Sequence, residues 1–267
     1  MARTRFIAPA RESIVPSVFD HPIHAGYACH RDLLEGPEWP SLELLNDRLG
    51  APDLRFVDQD ETLLQDGKHY ESRIHSQGCI ATRTRNWHDL FNALVWIQHA
   101  PLKRALNARQ CADIARHGPR TRSRAQCALT HFDEAGVVVW VDSPELITAW
   151  DSHDWRVWFG QSEAFASGRI RLHVFGHALL EHALRPGHLP TAKALVVCGG
   201  EPDHACTALA EAIDSSLVLL DPQELRPLPL AGLPGWSPSQ HEPCFFDADA
   251  FRPLRPGRRY PAPWFIE

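Results

Sequence analysis

The chain has 267 residues, 44% hydrophobic and 22% charged, enough to bury a substantial core in one large domain. Its net charge of −6 argues against general binding to nucleic acid or an anionic membrane, and no apolar run approaches the ~20 residues of a bilayer span. The seven Cys, at 29, 79, 111, 127, 198, 206 and 244, form no CxxC pair, and residues 1–9 lack the apolar core of a signal peptide, so reduced thiols in a cytoplasmic protein are expected.

Residues 1–40 are rich in Pro and His without sustained periodicity, and read as an irregular segment wrapped on the core with one short helix near 31–35. Ser41 then caps a helix that carries Leu42, Leu44, Leu45 and Leu49 and ends at Gly50. Residues 54–76 read as a β-hairpin turning near Asp66-Gly67. Asn86 is an acceptable N-cap for a helix over 86–99, and Pro101 opens a second helix that runs to Arg116 with Lys103, Arg104, Arg109 and Arg116 on its exposed face. Residues 126–141 read as another hairpin, with Asp133-Glu134-Ala135-Gly136 as its turn and Val137-Val138-Val139-Trp140-Val141 as a strand buried on both faces. Ser143-Pro144 starts a Trp-rich helical segment. Residues 170–175 and 192–197 are strands, 177–184 and 206–215 helices, and a Pro- and aromatic-rich tail follows from Pro222.

The alternation predicts an α+β protein: a single compact domain of helices packed on short, mostly antiparallel strands, with the tail wrapped on the body. The organisation expected is an irregular segment at 1–40, one domain at 41–255 and a tail at 256–267.

Candidate chemistry concentrates on residues 86–96. At 100° per residue Trp87, Leu90, Phe91, Leu94, Val95 and Ile97 share one side, while His88, Asn92 and His99 line a flank and Trp96 lies opposite the apolar centre. A helix that is apolar nearly all round with a narrow polar stripe points either to a satisfied core network or to the wall of a cleft. In a cleft, His88 acts as acid, base or metal ligand and Asn92 orients a ligand. Arg83 and Arg85, just upstream, would hold an anionic group near the helix N-terminus at Asn86, with Trp96 as a further contact.

His177 and Glu181, four apart on one helix, form a second candidate pair, for ligating a metal or orienting a base, and Glu71 is a further candidate acid. The spacing matches neither HExxH nor HxxEH, so a divalent metal stays an open cofactor. Asp133 and Glu134, in the expected turn, read as mainly structural. Cys198, His204 and Cys206 match no strong metal template, and Gly199-Gly200 is too little for a phosphate loop.

Ile80-Ala81-Thr82-Arg83, Asn86-Trp87-His88-Asp89-Leu90-Phe91-Asn92-Ala93-Leu94-Val95-Trp96, Leu129-Thr130-His131-Phe132-Asp133-Glu134, Phe175-Gly176-His177-Ala178-Leu179 and Leu233-Pro234-Gly235-Trp236 resemble phrases of a bacterial family of uncharacterised proteins, the domain of unknown function 3025 (DUF3025). The resemblance covers roughly residues 40 to 255; it implies a soluble bacterial protein and carries no activity, and in the family pattern a His often stands where this chain has Gln110. In outline, a hairpin followed by a helix with Asn92 and Trp96 is also similar to ββα-metal (HNH-like) nucleases, but the paired histidines are absent and the net negative charge argues against DNA. The readings are therefore a hydrolase-like enzyme acting on a small anionic substrate, a non-catalytic small-molecule or protein-binding protein with a structural polar helix, and a remote nuclease.

Overall fold

Side-chain caps set half of the α-helix starts among the described residues. The structure is a computed structural model that describes residues 6–119 and 121–266, so residues 1–5 of the N-terminal segment and residue 267 of the tail lie outside the described residues. A series of 3-10 turns leads into α1 (Arg31–Leu34). Ser41 Oγ accepts from Leu44 N to open α2 (Leu42–Leu49), which closes on Gly50 in the left-handed conformation.

The expected hairpin over 54–76 does not form. Strand β1 (Arg55–Asp58) is followed by α3 (Glu61–Leu64), capped by Asp60, and α4 (Tyr70–Gln77), capped by His69. Gly78 then turns the chain into β2 (Cys79–Thr82), which pairs parallel with β1. The caps at Asp60 and His69 outweigh the weak alternation of the segment, because each satisfies a helix N–H group that a strand would leave for a partner. The hairpin-plus-helix outline of the ββα nucleases is therefore absent here.

Asn86 caps α5 (Trp87–Gln98), and Pro101 lies in the first turn of α6 (Ala100–His117), as expected. The face of α6 read as exposed is so only in part: Arg116 is exposed and Arg104 partly so, but Lys103 and Arg109 are buried, Arg109 donating to the Ile213 carbonyl. The second expected hairpin also fails in its first arm. Ser123 and Gln126 form a reciprocal capping box that starts α7 (Arg124–Ala135), and Ala128, Leu129 and Phe132 bury the helical face. Asp133 and Glu134 thus occupy the last turn of a helix. Strand β3 (Gly136–Val141) follows directly and is buried throughout.

Ser143-Pro144 opens a 3-10 turn, then α8 (Thr148–Asp151), α9 (Trp155–Phe159) and α10 (Ser162–Ala166). Strand β4 (Ile170–Val174), α11 (His177–His182), β5 (Thr191–Cys198), α12 (Ala205–Asp214), β6 (Arg226–Pro229) and β7 (Trp264–Phe265) complete the chain. The larger sheet runs β4-β3-β5-β6, with β7 beside the end of β5. Pairing is mixed and not mostly antiparallel: β3 runs parallel to β5, and β5 to β7, while β4 and β6 are antiparallel to their neighbours. The α+β class holds; β1 and β2 can pair parallel because α3 and α4 form the crossover between them.

One continuous apolar core joins the helices to the larger sheet, and Trp150 and Trp158 stack within it. The tail packs on this body: Arg226 holds Asp151 and the Pro261 carbonyl, and Tyr260 stacks on His153. Among the described residues no helix is long and apolar enough to cross a membrane.

Two glycines bring α7 and α11 together. A Cβ on Gly176 would lie 2.4 Å from Gly136 N and 2.5 Å from Ala135 Cα, and one on Gly136 would lie 2.2 Å from the Phe132 carbonyl oxygen. The Gly136 carbonyl accepts from both Phe175 N and Gly176 N, so the start of α11 is tied to the end of α7.

Candidate metal centre and its pocket

The tie between α7 and α11 sets His177 beside Glu134, and α5 packs across both to add His88. His88 Nδ1 lies 2.9 Å from Glu181 Oε2. A carboxylate accepts only, so in the neutral ring Nδ1 carries the proton and the Nε2 lone pair faces the cavity. His88 Nε2 lies 3.1 Å from His177 Nε2. Glu134 Oε2 completes a triangle, 3.5 Å from His177 Nε2 and 3.9 Å from His88 Nε2.

A triangle with those sides has a circumscribed radius of about 2 Å, the distance at which imidazole nitrogen and carboxylate oxygen bind a divalent metal such as zinc. Glu181 then stands behind the His88 ligand, the usual carboxylate–histidine arrangement. Among the described residues these three are the one such donor cluster. Cys198, His204 and Cys206 form none.

Of the three donors, His177 is the one whose protonation state is shifted toward ligation. His177 is buried, and burial above all, with Lys103 and His88 adding to it, pushes its pKa down to about 3 against attraction from Asp133. It is therefore a neutral imidazole. Its Nδ1 has no well-formed hydrogen bond; the Asp133 backbone exerts a weaker attraction on the ring, which is the acceptor available when Nδ1 carries the proton. For His88, burial is the largest single influence and lowers the pKa. The Glu181 hydrogen bond and the charges of Glu134, Glu181 and Asp89 together outweigh it, for a net rise. Burial raises the Glu134 pKa, against the attraction of His88.

The triangle opens on a polar cavity of about 300 Å³ walled by α4, α5, α6 and α7. Lys103 Nζ donates to Asp133 Oδ1 at 2.6 Å and Asn92 Oδ1 at 2.9 Å, and lies 5.3 Å from the Trp96 ring centroid. Asn92 Nδ2 donates to the Tyr70 hydroxyl at 3.0 Å, leaving the Tyr70 hydrogen free for another acceptor. Asn107 Nδ2 donates to Glu71 Oε2 at 2.6 Å, and Gln110 Nε2 to Thr130 Oγ1 at 3.1 Å.

Of the residues singled out in the sequence, His88, His177 and Glu181 form one cluster, and Glu71, Arg83, Asn92 and Trp96 line the same cavity. His177 and Glu181 do not share a ligand: one faces the triangle and the other supports His88. The two arginines do not form an anion cradle. Arg83 is held by Asp89, with Nη2 at 2.7 Å and Nε at 2.9 Å, and Asp89 also accepts from the Arg83 backbone. Arg85 has φ 55° and lines a separate, minor cleft with Trp39. Asn86 is occupied as a cap, its Oδ1 accepting from Asp89 N.

Glu134, Asp133, Lys103, Tyr70 and Asn107 were not assigned to a site from sequence. The signal that finds the first two is the Ser123/Gln126 capping box, which places them on a helix two and three residues before Gly136, where the chain is tied to α11.

Neither a comparison with curated proteins nor one with solved structures gives a match. A family model described as "Protein of unknown function (DUF3025)" matches residues 54–255, a span that includes His88, Glu134, His177 and Glu181. The chain therefore belongs to the DUF3025 family.

Proposed function

We propose that this protein is a hydrolase that uses a divalent metal held by His88 Nε2, His177 Nε2 and Glu134 Oε2. The observation that carries the reading is the donor triangle, whose sides of 3.1, 3.5 and 3.9 Å fit a single ion, with a carboxylate behind one histidine. Three protein ligands with an open side on a cavity are the catalytic pattern; structural sites are closed by a fourth.

A divalent ion there supplies a Lewis acid and lowers the pKa of a water in its remaining position. Water is the co-reactant: its oxygen bonds the electrophilic centre, the bond to the leaving atom breaks with its electron pair, and a water proton goes to that atom. The chain's own groups do the rest. Glu181 fixes the His88 ring, Lys103 presents a positive charge held by Asp133 and Asn92, and the Tyr70 hydroxyl has a hydrogen to donate. The seven unpaired cysteines support a reducing, cytoplasmic location.

Elemental analysis after zinc or manganese titration and desalting is expected to give about one ion per chain. His177→Ala and Glu134→Gln should each abolish it, and hydrolysis of chromogenic ester, amide or phosphoester probes should require the ion. Wild-type protein that retains no ion, or a His177→Ala variant that retains it unchanged, overturns the reading. Retention of the ion with no turnover of any probe would make the protein a ligand-binding module.

A further inference from the structure

The carboxylates around the cavity do not all have equivalent company. Asp89 is paired with Arg83, Asp133 with Lys103, and Glu134 with the two histidines. Glu71 is the exception. Among the described residues no basic side chain lies within ion-pair distance of it, and its one side-chain partner is the neutral Asn107 amide. Lys103, already committed to Asp133 and Asn92, acts on it only at a distance. Burial, with repulsion from Asp133 adding to it, raises the Glu71 pKa.

A half-buried carboxylate without a cation still carries a desolvation cost, and proteins often pair or neutralise it. Here the carboxylate lines the cavity that the triangle opens on, beside Tyr70, Asn107 and Gln110. Among the described residues its Oε1 has no hydrogen-bond donor, whereas Oε2 is taken by Asn107. Of the arginines on the cavity lining, Arg83 is neutralised by Asp89, and Arg122 is exposed to solvent.

We infer that Glu71 is the seat for a positively charged nitrogen of the substrate, an ammonium or guanidinium group carried on a small molecule whose scissile bond lies at the His88–His177–Glu134 triangle. This rests on the hydrolase reading for the position of the scissile bond and not for the seat itself. The ligand cation supplies the charge that the protein withholds, and Asn107 and Tyr70 flank it with fixed polar groups. One unpaired carboxylate thereby selects a basic substrate over a neutral or acidic one of the same shape.

The test uses n-butylammonium, n-butylguanidinium, n-butanol and n-butanoate as probes, with binding followed by NMR on the full chain, with zinc and with chelator. Both cations are expected to bind about tenfold or more tightly than butanol, and Glu71→Gln, which keeps an acceptor for Asn107, should erase the preference. In wild-type protein the Glu71 carboxyl should titrate about one pH unit or more lower when saturated with butylammonium, a readout that needs no variant. Equal binding of cation and alcohol, a preference that survives Glu71→Gln, no binding of any probe, or an unmoved Glu71 titration each overturns the inference. A cation preference that persists in chelator, in a protein that retains no metal, keeps the seat and removes the metal reading. Stoichiometric metal without the preference does the reverse.

Discussion

Replacing Lys103 with Met isolates what the buried ion pair at the cavity floor contributes. Lys103 is 4% exposed, and its ammonium is 2.6 Å from Asp133 and 5.3 Å from the Trp96 ring centroid. Met keeps the length, and its sulfur is a favourable neighbour for an indole ring. What is lost is the charge. Removing one partner of a buried pair costs about 3–5 kcal/mol, because the other is left uncompensated. The Asp133 side chain is 24% exposed, so water reaches it and the lower end, about 3 kcal/mol, is the appropriate figure. At about 2–3 °C per kcal/mol for a chain of this size, the melting temperature should fall by about 6–9 °C. The double variant Lys103→Met/Asp133→Asn removes both charges and should recover at least about 1.5 kcal/mol of that loss. Denaturant unfolding of the four proteins in the cycle measures both quantities. A single variant that costs under about 1 kcal/mol, or single costs that simply add, would refute the view that Lys103 and Asp133 act as one buried pair.

Three further outcomes are expected. Gly176→Ala should destabilise by about 3 kcal/mol or more, since its Cβ would meet the Gly136 and Ala135 backbone at 2.4–2.6 Å; a melting temperature within 2 °C of wild type (about 1 kcal/mol) would show that the α7–α11 tie is not rigid. Zinc at about 100 times its dissociation constant should stabilise the wild type by about 2.7 kcal/mol and leave His177→Ala unmoved, as calorimetry can read. The third concerns His24, which is 2% exposed, has no hydrogen-bond partner on either ring nitrogen, and stacks on Phe91. Burial, then His21, pushes its pKa from 6.5 down to about 3, so the unfolded chain takes up the proton first as pH falls. Stability from the neutral ring is full above pH 6.5 and is lost toward pH 3, at up to about 1.4 kcal/mol per pH unit. His24→Leu should flatten that part of the acid limb; identical slopes for both proteins between pH 6.5 and 4.5 would contradict it.

Local signals in the sequence were legible where they were chemically specific. Ser41, Asn86, Pro101 and Gly50 mark helix ends that the structure contains, and the unbroken apolar run Val137-Val138-Val139-Trp140-Val141 is a strand buried on both faces. Both expected hairpins failed for one reason. Short apolar runs fit a two-residue and a 3.6-residue repeat about equally, and the caps that decide the matter, His69 and Ser123, lie before the run and not within it. The polar stripe on α5 was visible as His88 and Asn92, but its partners come from 93 and 11 residues away. Lys103 and Arg109 looked like the solvated face of α6, because a basic residue at helical spacing carries no mark of the carboxylate or carbonyl that will receive it.

Misreading α7 concealed the candidate metal centre, and that link is physical. On a hairpin turn Asp133 and Glu134 would face solvent. On the last turn of a helix that runs without a loop into β3, they are held against the start of α11 by the Gly136 carbonyl bonds to Phe175 and Gly176. Adjacent residues on a helix point about 100° apart, and the pair divides accordingly. Asp133 turns toward Lys103, and Glu134 toward His88 and His177. The first neutralises the cavity floor and the second gives the triangle its third corner. A one-residue shift of α7 against α11 that carried Asp133 into the place of Glu134 would set it toward the histidines and leave Lys103 without its carboxylate. The contact between Gly136 and Gly176, which no side chain larger than hydrogen permits, therefore fixes the register of the ligand set as well as the packing of two helices.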